Sequence, residues 1–204
     1  MATRRPLGRH AGGMRTTGTD EGDRARHRGM VRPGDDALVG AGLGTPDDLV
    51  VCRWAAEDLD ACLRILGSLP DFFTPDVPDR VTRDLDAHRG WVVLQAGAVV
   101  GFAVAAARGD RGAEILWAGV HAARRGRGLG TLLVEQVLDD LGAGGVRVVL
   151  AKTLDASAGY EPYQATRAFW EARGFVHVDT IDPLPGWQPG NASAIYVAAL
   201  APTR

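Results

Sequence analysis

Val120-His121-Ala122-Ala123-Arg124-Arg125-Gly126-Arg127-Gly128-Leu129-Gly130-Thr131-Leu132-Leu133 is the stretch on which the reading turns. An apolar run ends at Val120, a turn of glycine and arginine follows, and apolar residues then recur at helical spacing. Leu129, Leu132, Leu133, Val137, Leu138 and Leu141 mark one face of the predicted helix. Glycines at alternate positions, Gly126, Gly128 and Gly130, let the backbone bend sharply and leave its N–H groups uncovered. Those donors stand at the positive end of a helix, which makes an anion site. Arg124, Arg125 and Arg127 add charge suited to phosphate oxygens. The spacing is G-x-G-x-G, not the G-x-G-x-x-G of dinucleotide folds, and it lacks the Gly-Lys-Ser/Thr ending of a P-loop. It therefore predicts a pyrophosphate cradle with no lysine or hydroxyl waiting for ATP and magnesium. The plain alternative, a tight turn with surface arginines, does not by itself call for this density of glycine and arginine.

The flanking pattern alternates strand and helix. Upstream, Leu49–Trp54 reads as a strand. Leu59, Cys62, Leu63 and Leu66 recur at helical spacing, with Glu57 and Asp58 in the first turn and Gly67 as the stop. Residues 68–80 form a Pro-rich loop holding Phe72 and Phe73, and a short helix follows around 79–88. Trp91–Gln95 and Val99–Ala107 are strands joined at Ala96-Gly97-Ala98, and Ala113–Val120 is the next. Downstream come a strand at Val146–Ala151, a helix from Tyr163 to Arg173 ended by Gly174, and strands at Phe175–Ile181 and Ala194–Leu200. The order β-α-α-β-β-β-α-β-α-β-β predicts one α/β, or α+β, domain. Its mixed central sheet would have roughly six or seven strands, a parallel crossover over 113–151 and helices on both faces.

Composition narrows the class. The chain has 204 residues, 46% of them hydrophobic, and a formal net charge of -2, which argues against a general nucleic-acid binder. No apolar run is long enough to span a membrane. Two cysteines, Cys52 and Cys62, are too few for a disulfide scaffold or a zinc cage, so reduced, cytoplasmic residence is the expectation and no metal is called for. Lys152 is the only lysine among 23 Lys and Arg residues, which reads as codon bias in a GC-rich genome. Residues 1–44 carry +3 and hold ten glycines but no Phe, Trp or Tyr, leaving -5 for the rest. Such a segment buries too little apolar surface to offset the entropy of ordering it, so 1–44 is expected to be a disordered Arg/Gly-rich arm and 45–204 the folded domain. It has no apolar stretch of the kind a secretory signal needs.

Arg125-Gly126-Arg127-Gly128-Leu129-Gly130 resembles the R/Q-x-x-G-x-G/A signature of the GNAT superfamily, the acyl-CoA-dependent N-acyltransferases. A second signature, a helix ending in aromatic-x-x-x-Gly-Phe, is matched by Phe169-Trp170-Glu171-Ala172-Arg173-Gly174-Phe175, and the likeness covers about residues 50–200. It implies acetyl-CoA as co-substrate, with its pyrophosphate held by the backbone amides of Arg125, Gly126, Arg127, Gly128, Leu129, Gly130 and Thr131. It implies that the pantetheine arm pairs with the strand ending Ala118-Gly119-Val120, that a backbone N–H near Val120 stabilises the oxyanion, and that the strands at 113–120 and 146–151 splay apart. Gly119 would suit a bulge at that splay.

An acceptor amine of pKa about 10 must lose a proton before it attacks a thioester. The resemblance implies a glutamate as general base where Glu114 stands, although a glutamate entering a strand is often just solvated. Many members carry a tyrosine as acid for the leaving thiolate at the place of Trp170, and an asparagine seven residues earlier, at the place of Tyr163. An indole N–H donates a hydrogen bond but not its proton at neutral pH, so Trp170 would line the cofactor slot. Tyr163, two helical turns away, would supply the acid or merely pack at the helix start. Phe72 and Phe73, with Asp71, Asp76, Asp79, Asp84 and Asp86, would suit a cationic, partly apolar acceptor; the alternative is a solvated face above two core phenylalanines. Residues 183–191 would form the other wall, and His121 needs no role.

The leading expectation is an N-acetyltransferase acting on an amine of a small molecule or peptide. The alternative is a catalytically weak acyl-CoA-binding regulatory module of the same fold. A toxin acylating aminoacyl-tRNA would want a basic face, which a domain at -5 does not offer. No specific nucleic-acid or membrane partner is indicated, and the oligomeric state, a homodimer included, is left open.

Overall fold

In the computed structural model, which describes residues 49–201, the chain runs β1 (Leu49–Arg53), α1 (Leu59–Gly67), α2 (Val77–Ala87), β2 (Arg89–Gln95), β3 (Ala98–Arg108), β4 (Gly112–Val120), α3 (Leu129–Ala143), β5 (Val148–Leu154), α4 (Gln164–Glu171), β6 (Val176–Ile181) and β7 (Ser193–Ala199). The arm expected at 1–44 lies outside the described residues. The strands make one mixed sheet in the order β1-β2-β3-β4-β5-β7-β6. Only β4 and β5 pair in parallel; the other neighbours are antiparallel.

Two-faced burial follows from the sequence of β2 and β3, apolar at nearly every position. Trp91, Val93, Ala103 and Ala105 point to one face, where Leu129, Leu133, Val134, Val137 and Leu141 of α3 and Trp170 of α4 cover them. Val92, Phe102 and Val104 point to the other, under Cys62, Ile65 and Leu66 of α1 and Val81 and Leu85 of α2. The expected hairpin forms, but its link is one residue shorter than Ala96-Gly97-Ala98 because Ala98 pairs with Gln95; Ala96 and Gly97 both take positive φ, 50° and 77°, a geometry whose twist matches the strands. Among the described residues no helix is long and apolar enough to cross a membrane.

Several expectations need correction. Leu132 is 37% exposed, and Val134 takes its place on the buried face of α3. Gly67 is simply the last residue of α1; the end is closed by Ser68, whose hydroxyl donates to the Ile65 carbonyl at 2.7 Å. Strand β5 is shifted toward the C-terminus, because Val146 closes the turn after α3 while Lys152, Thr153 and Leu154 are held in the sheet by β7. Helix α4 begins at Gln164, one residue past Tyr163, which ends a short 3-10 turn. The bulge in β4 falls at Leu116, not Gly119: Val104 pairs with Trp117 and Ala105 with Ile115, leaving Leu116 as the extra residue, whereas Gly119 pairs in register with Phe102.

A polar tie fixes α3 to the sheet. The Trp91 indole N–H, on a side chain wholly buried, donates to Asp140 Oδ2 at 2.6 Å. Asp140→Ala should therefore destabilise by about 1–3 kcal/mol, the cost of an unsatisfied buried donor. Trp91→Phe in that background, having no N–H to satisfy, should add less than Trp91→Phe costs alone in a denaturant-unfolding cycle. Additive losses would show that the bond contributes nothing.

Candidate active site

The parallel pairing of β4 with β5 covers only Gly112↔Val148 through Ile115↔Ala151. Beyond it β4 continues to Val120 along β3, while β5 continues to Leu154 along β7. The strands thus splay, and the β5-facing edge of β4 from Leu116 to Val120 has no strand partner among the described residues. Its backbone groups are free to pair with an extended ligand. Ala118 and Val120 lie on this edge, half-buried against the α3-side core. Opposite them, Thr153 is 3% exposed and its Oγ1 has no hydrogen-bond partner among the described residues. It shares a face with Val149 and Ala151, the face covered by α3.

At the end of β4 the chain turns into α3. His121 caps a short 3-10 turn through Nδ1, which accepts from the Ala123 N–H at 3.3 Å, and the Ala122 N–H donates to Ser68 Oγ at 3.1 Å. Gly126 and Gly128 take φ of 75° and 79°, and a side chain at either would meet only open space, so backbone conformation rather than packing requires glycine. The N–H groups of Gly126, Arg127 and Gly128 face no backbone acceptor among the described residues. Those of Leu129, Gly130 and Thr131 are first-turn donors of α3, whose first intrahelical bond runs from Leu132 to Gly128. Six consecutive donors are uncovered, with Arg124, Arg125 and Arg127 exposed around them.

Gly130 answers to a different constraint. A Cβ there would lie 3.1 Å from the Phe169 ring, so glycine lets α4 close on α3. Arg173 seals that contact. Its guanidinium stacks on Phe169 at 3.6 Å, donates to the Phe169 carbonyl at 2.7 Å and donates to the Thr131 hydroxyl. Burial draws its pKa below the usual arginine range, yet it stays cationic. Arg173 is a cation beside the α3 N-terminus that the sequence reading missed, although its place before Gly174 in the second motif could have flagged it.

Glu114 sits one residue before the strands part, its side chain 7% exposed. Oε2 accepts from Arg108 Nε at 2.7 Å and Oε1 pairs with Lys152 Nζ at 2.9 Å. The solvated alternative is thereby excluded. Each oxygen keeps a second lone pair, so the carboxylate can still accept from an incoming ammonium.

The remaining expected site residues are spent on packing. Trp170 is 6% exposed, wedged edge-on between Phe169 and Phe175 at 5.2 and 5.0 Å within the core on the α3 side. Phe73 packs toward Trp117 at 6.3 Å, and Asp84 accepts from the Trp117 indole at 2.6 Å. Asp76 is occupied by Thr74 and Arg80, which hold its pKa down. The acidic acceptor face thus loses two of its carboxylates to internal bonds. Phe72 is different. Its ring lies 5.2 Å from Tyr163 and under the Arg125 guanidinium at 4.7 Å, while its carbonyl accepts from the Tyr163 hydroxyl at 2.7 Å. The loop before α2 is thereby strapped to both the Gly-rich turn and the start of α4.

Burial pushes the Tyr163 phenol up to about 12. That lies well above a thiolate of pKa about 8.5, which makes the phenol a poor proton donor to it. Its geometry is that of a strut.

The family model described as Acetyltransferase (GNAT) family matches residues 55–175. No curated protein matches the chain. Among solved structures, a GCN5-related N-acetyltransferase from Kribbella flavida is 22% identical with a TM-score of 0.58, covering 74% of this chain and 98% of its own. Ard1 from Thermoplasma volcanium is 19% identical with a TM-score of 0.62, covering 75% and 98%. An N-acetyltransferase from Staphylococcus aureus is 19% identical with a TM-score of 0.59, covering 75% and 99%. At these identities the likeness is one of fold.

Tyr163→Phe separates strut from acid. Loss of the bond to Phe72 should cost about 1 kcal/mol and lower Tm by roughly 2–4 °C in thermal unfolding, with turnover kept within a few-fold. A fall in turnover of the 10²-fold order with unchanged Tm would restore the acid role.

Proposed function

Since the chain belongs to the acetyltransferase (GNAT) family, we propose that it moves an acetyl group from acetyl-CoA to the amine of a small molecule or peptide. One observation carries the reading: the splay of β4 and β5 opens beside six uncovered amides at the N-terminus of α3. The residues fit such a co-substrate on two counts. The uncovered amides, with Arg124, Arg125, Arg127 and Arg173 nearby, suit a pyrophosphate. The orphaned Thr153 hydroxyl gives the slot a polar group that a bound amide would satisfy.

Bound acetyl-CoA supplies a thioester carbonyl open to nucleophilic attack. The chain's part is to bind, orient and move a proton. Amides of residues 126–131 hold the phosphates, and the open edge at Ala118 and Val120 aligns the arm by backbone bonds. A backbone N–H of the open β4 edge near Leu116, close to Glu114, would stabilise the oxygen that gains charge as the amine adds. Glu114 takes the proton of the acceptor ammonium on an unused lone pair. Neither Trp170 nor Tyr163 is placed to give up a proton, so the thiolate, of pKa about 8.5, leaves without an acid. That same absence favours the second reading, an acyl-CoA-binding module with slow turnover.

Thiol release over a panel of amines, run beside thermal unfolding, separates the two. Acetyl-CoA should raise Tm through about 2.7 kcal/mol of stabilisation at a hundredfold excess over Kd. Gly128→Val, with its strained backbone, should lose most of that shift. Equal shifts in both proteins would overturn the phosphate site. Glu114→Gln should keep the shift and lose turnover by the 10²-fold order. Binding without thiol release on any amine would leave the regulatory module standing.

A further inference from the structure

Lys152 is the only lysine among 23 Lys and Arg residues. Elsewhere this chain uses arginine wherever a cation is wanted, including Arg108 on the other oxygen of Glu114. Charge alone therefore does not account for a lysine at this place. What lysine offers and arginine does not is an amine that can shed its proton and act as a nucleophile. Lys152 is the first residue of β5 beyond the parallel pairing, at the mouth of the splay. Its side chain is 29% exposed, and its Nζ stands 2.9 Å from Glu114 Oε1. An amine thus already occupies the position, relative to Glu114, that the acceptor of the proposed reaction must take.

We propose that Lys152 is a self-acetylation site, with an acetyl thioester as the donor. This rests on the reading of the splay as the acetyl-CoA slot. Glu114 accepts one proton of the Lys152 ammonium and passes it to water. The freed Nζ adds to the acetyl carbonyl carbon, the carbon–sulfur bond breaks, and the thiolate takes the second proton shed by the nitrogen. The products are Nε-acetyl-Lys152 and free CoA thiol, with one proton released and no change of oxidation state. The acetylated side chain has lost its charge, so Glu114 remains paired with Arg108 alone. Its Oε1 is then open to the ammonium of an external acceptor.

The test is to incubate the full chain with acetyl-CoA and follow acetylation by intact mass and peptide mapping, which separates Lys152 from the N-terminal amine. Thermal unfolding with CoA runs in parallel. The expected result is one acetyl group on the Lys152 peptide, appearing at least about tenfold faster than in Gly128→Val or in the heat-unfolded chain, because a bound donor acts at high effective concentration. Lys152→Arg, which keeps the charge pair, should still respond to CoA and gain no acetyl there. A wild-type chain that is stabilised by CoA yet leaves Lys152 unmodified overturns this proposal and spares the cofactor site. Equal labelling in Gly128→Val and the unfolded chain overturns it too, as simple chemical acetylation. A chain neither stabilised nor labelled overturns both readings.

Discussion

The divergence of β4 from β5 is the constraint on which the rest of the structure depends. Two parallel neighbours normally continue side by side, since every residue of pairing adds backbone hydrogen bonds. Here they part after Ile115 and Ala151, while each keeps the partner on its other edge: β3 follows β4 to Val120, and β7 follows β5 to Leu154. The bulge at Leu116 falls at the point of parting and reverses the alternation of β4. Ala113 and Ile115 face α3, Trp117 faces α2, and Ala118 and Val120 face the α3 side again. A gap that would otherwise waste hydrogen bonds is thus held open by the sheet itself. At its end lies the Gly-rich turn, whose donors face outward because Gly126 and Gly128 adopt left-handed backbone.

Charge is organised around the same gap. Glu114 is almost wholly buried, and a lone buried carboxylate would be costly. It is tolerated because Arg108 and Lys152 hold one oxygen each. Arg108 comes from β3 and Lys152 from β5, the two neighbours of β4, so the trio reports on the relative placement of β3, β4 and β5. At the Gly-rich turn the cations differ: Arg124, Arg125 and Arg127 are exposed, and Arg173 is held by Phe169 and Thr131.

Helix α4 contributes to the site more by where it sits than by what it presents. Gly130 lets Phe169 approach the first turn of α3, and Trp170 fills the core beneath. The strap from Phe72 to Tyr163 and Arg125 joins the loop before α2 to both arms of the site. Any movement of this loop would also disturb Arg125, whose guanidinium lies over the Phe72 ring.

Local sequence determined a good deal of this protein. The continuous apolar runs of β2 and β3, the Ala96-Gly97 hairpin, the apolar face of α3 and the glycine spacing at 126–130 are written in residues close in the chain, where propensity and backbone sterics act without help. Tertiary structure decided the rest. Leu116 became the bulge because β3 fixes the register on one side, a relation between residues far apart. Strand β5 extended through Lys152-Thr153-Leu154 because β7 supplies partners for polar residues that alternation alone would leave outside. Phe73 packed against Trp117 and Tyr163 became a strut because their neighbours, Trp117 and Phe72, arrive from other elements. The ion pairs of Glu114 follow the same rule. A side chain's chemistry is readable from its identity, but its partners depend on which distant segments the packed sheet brings within a few ångströms.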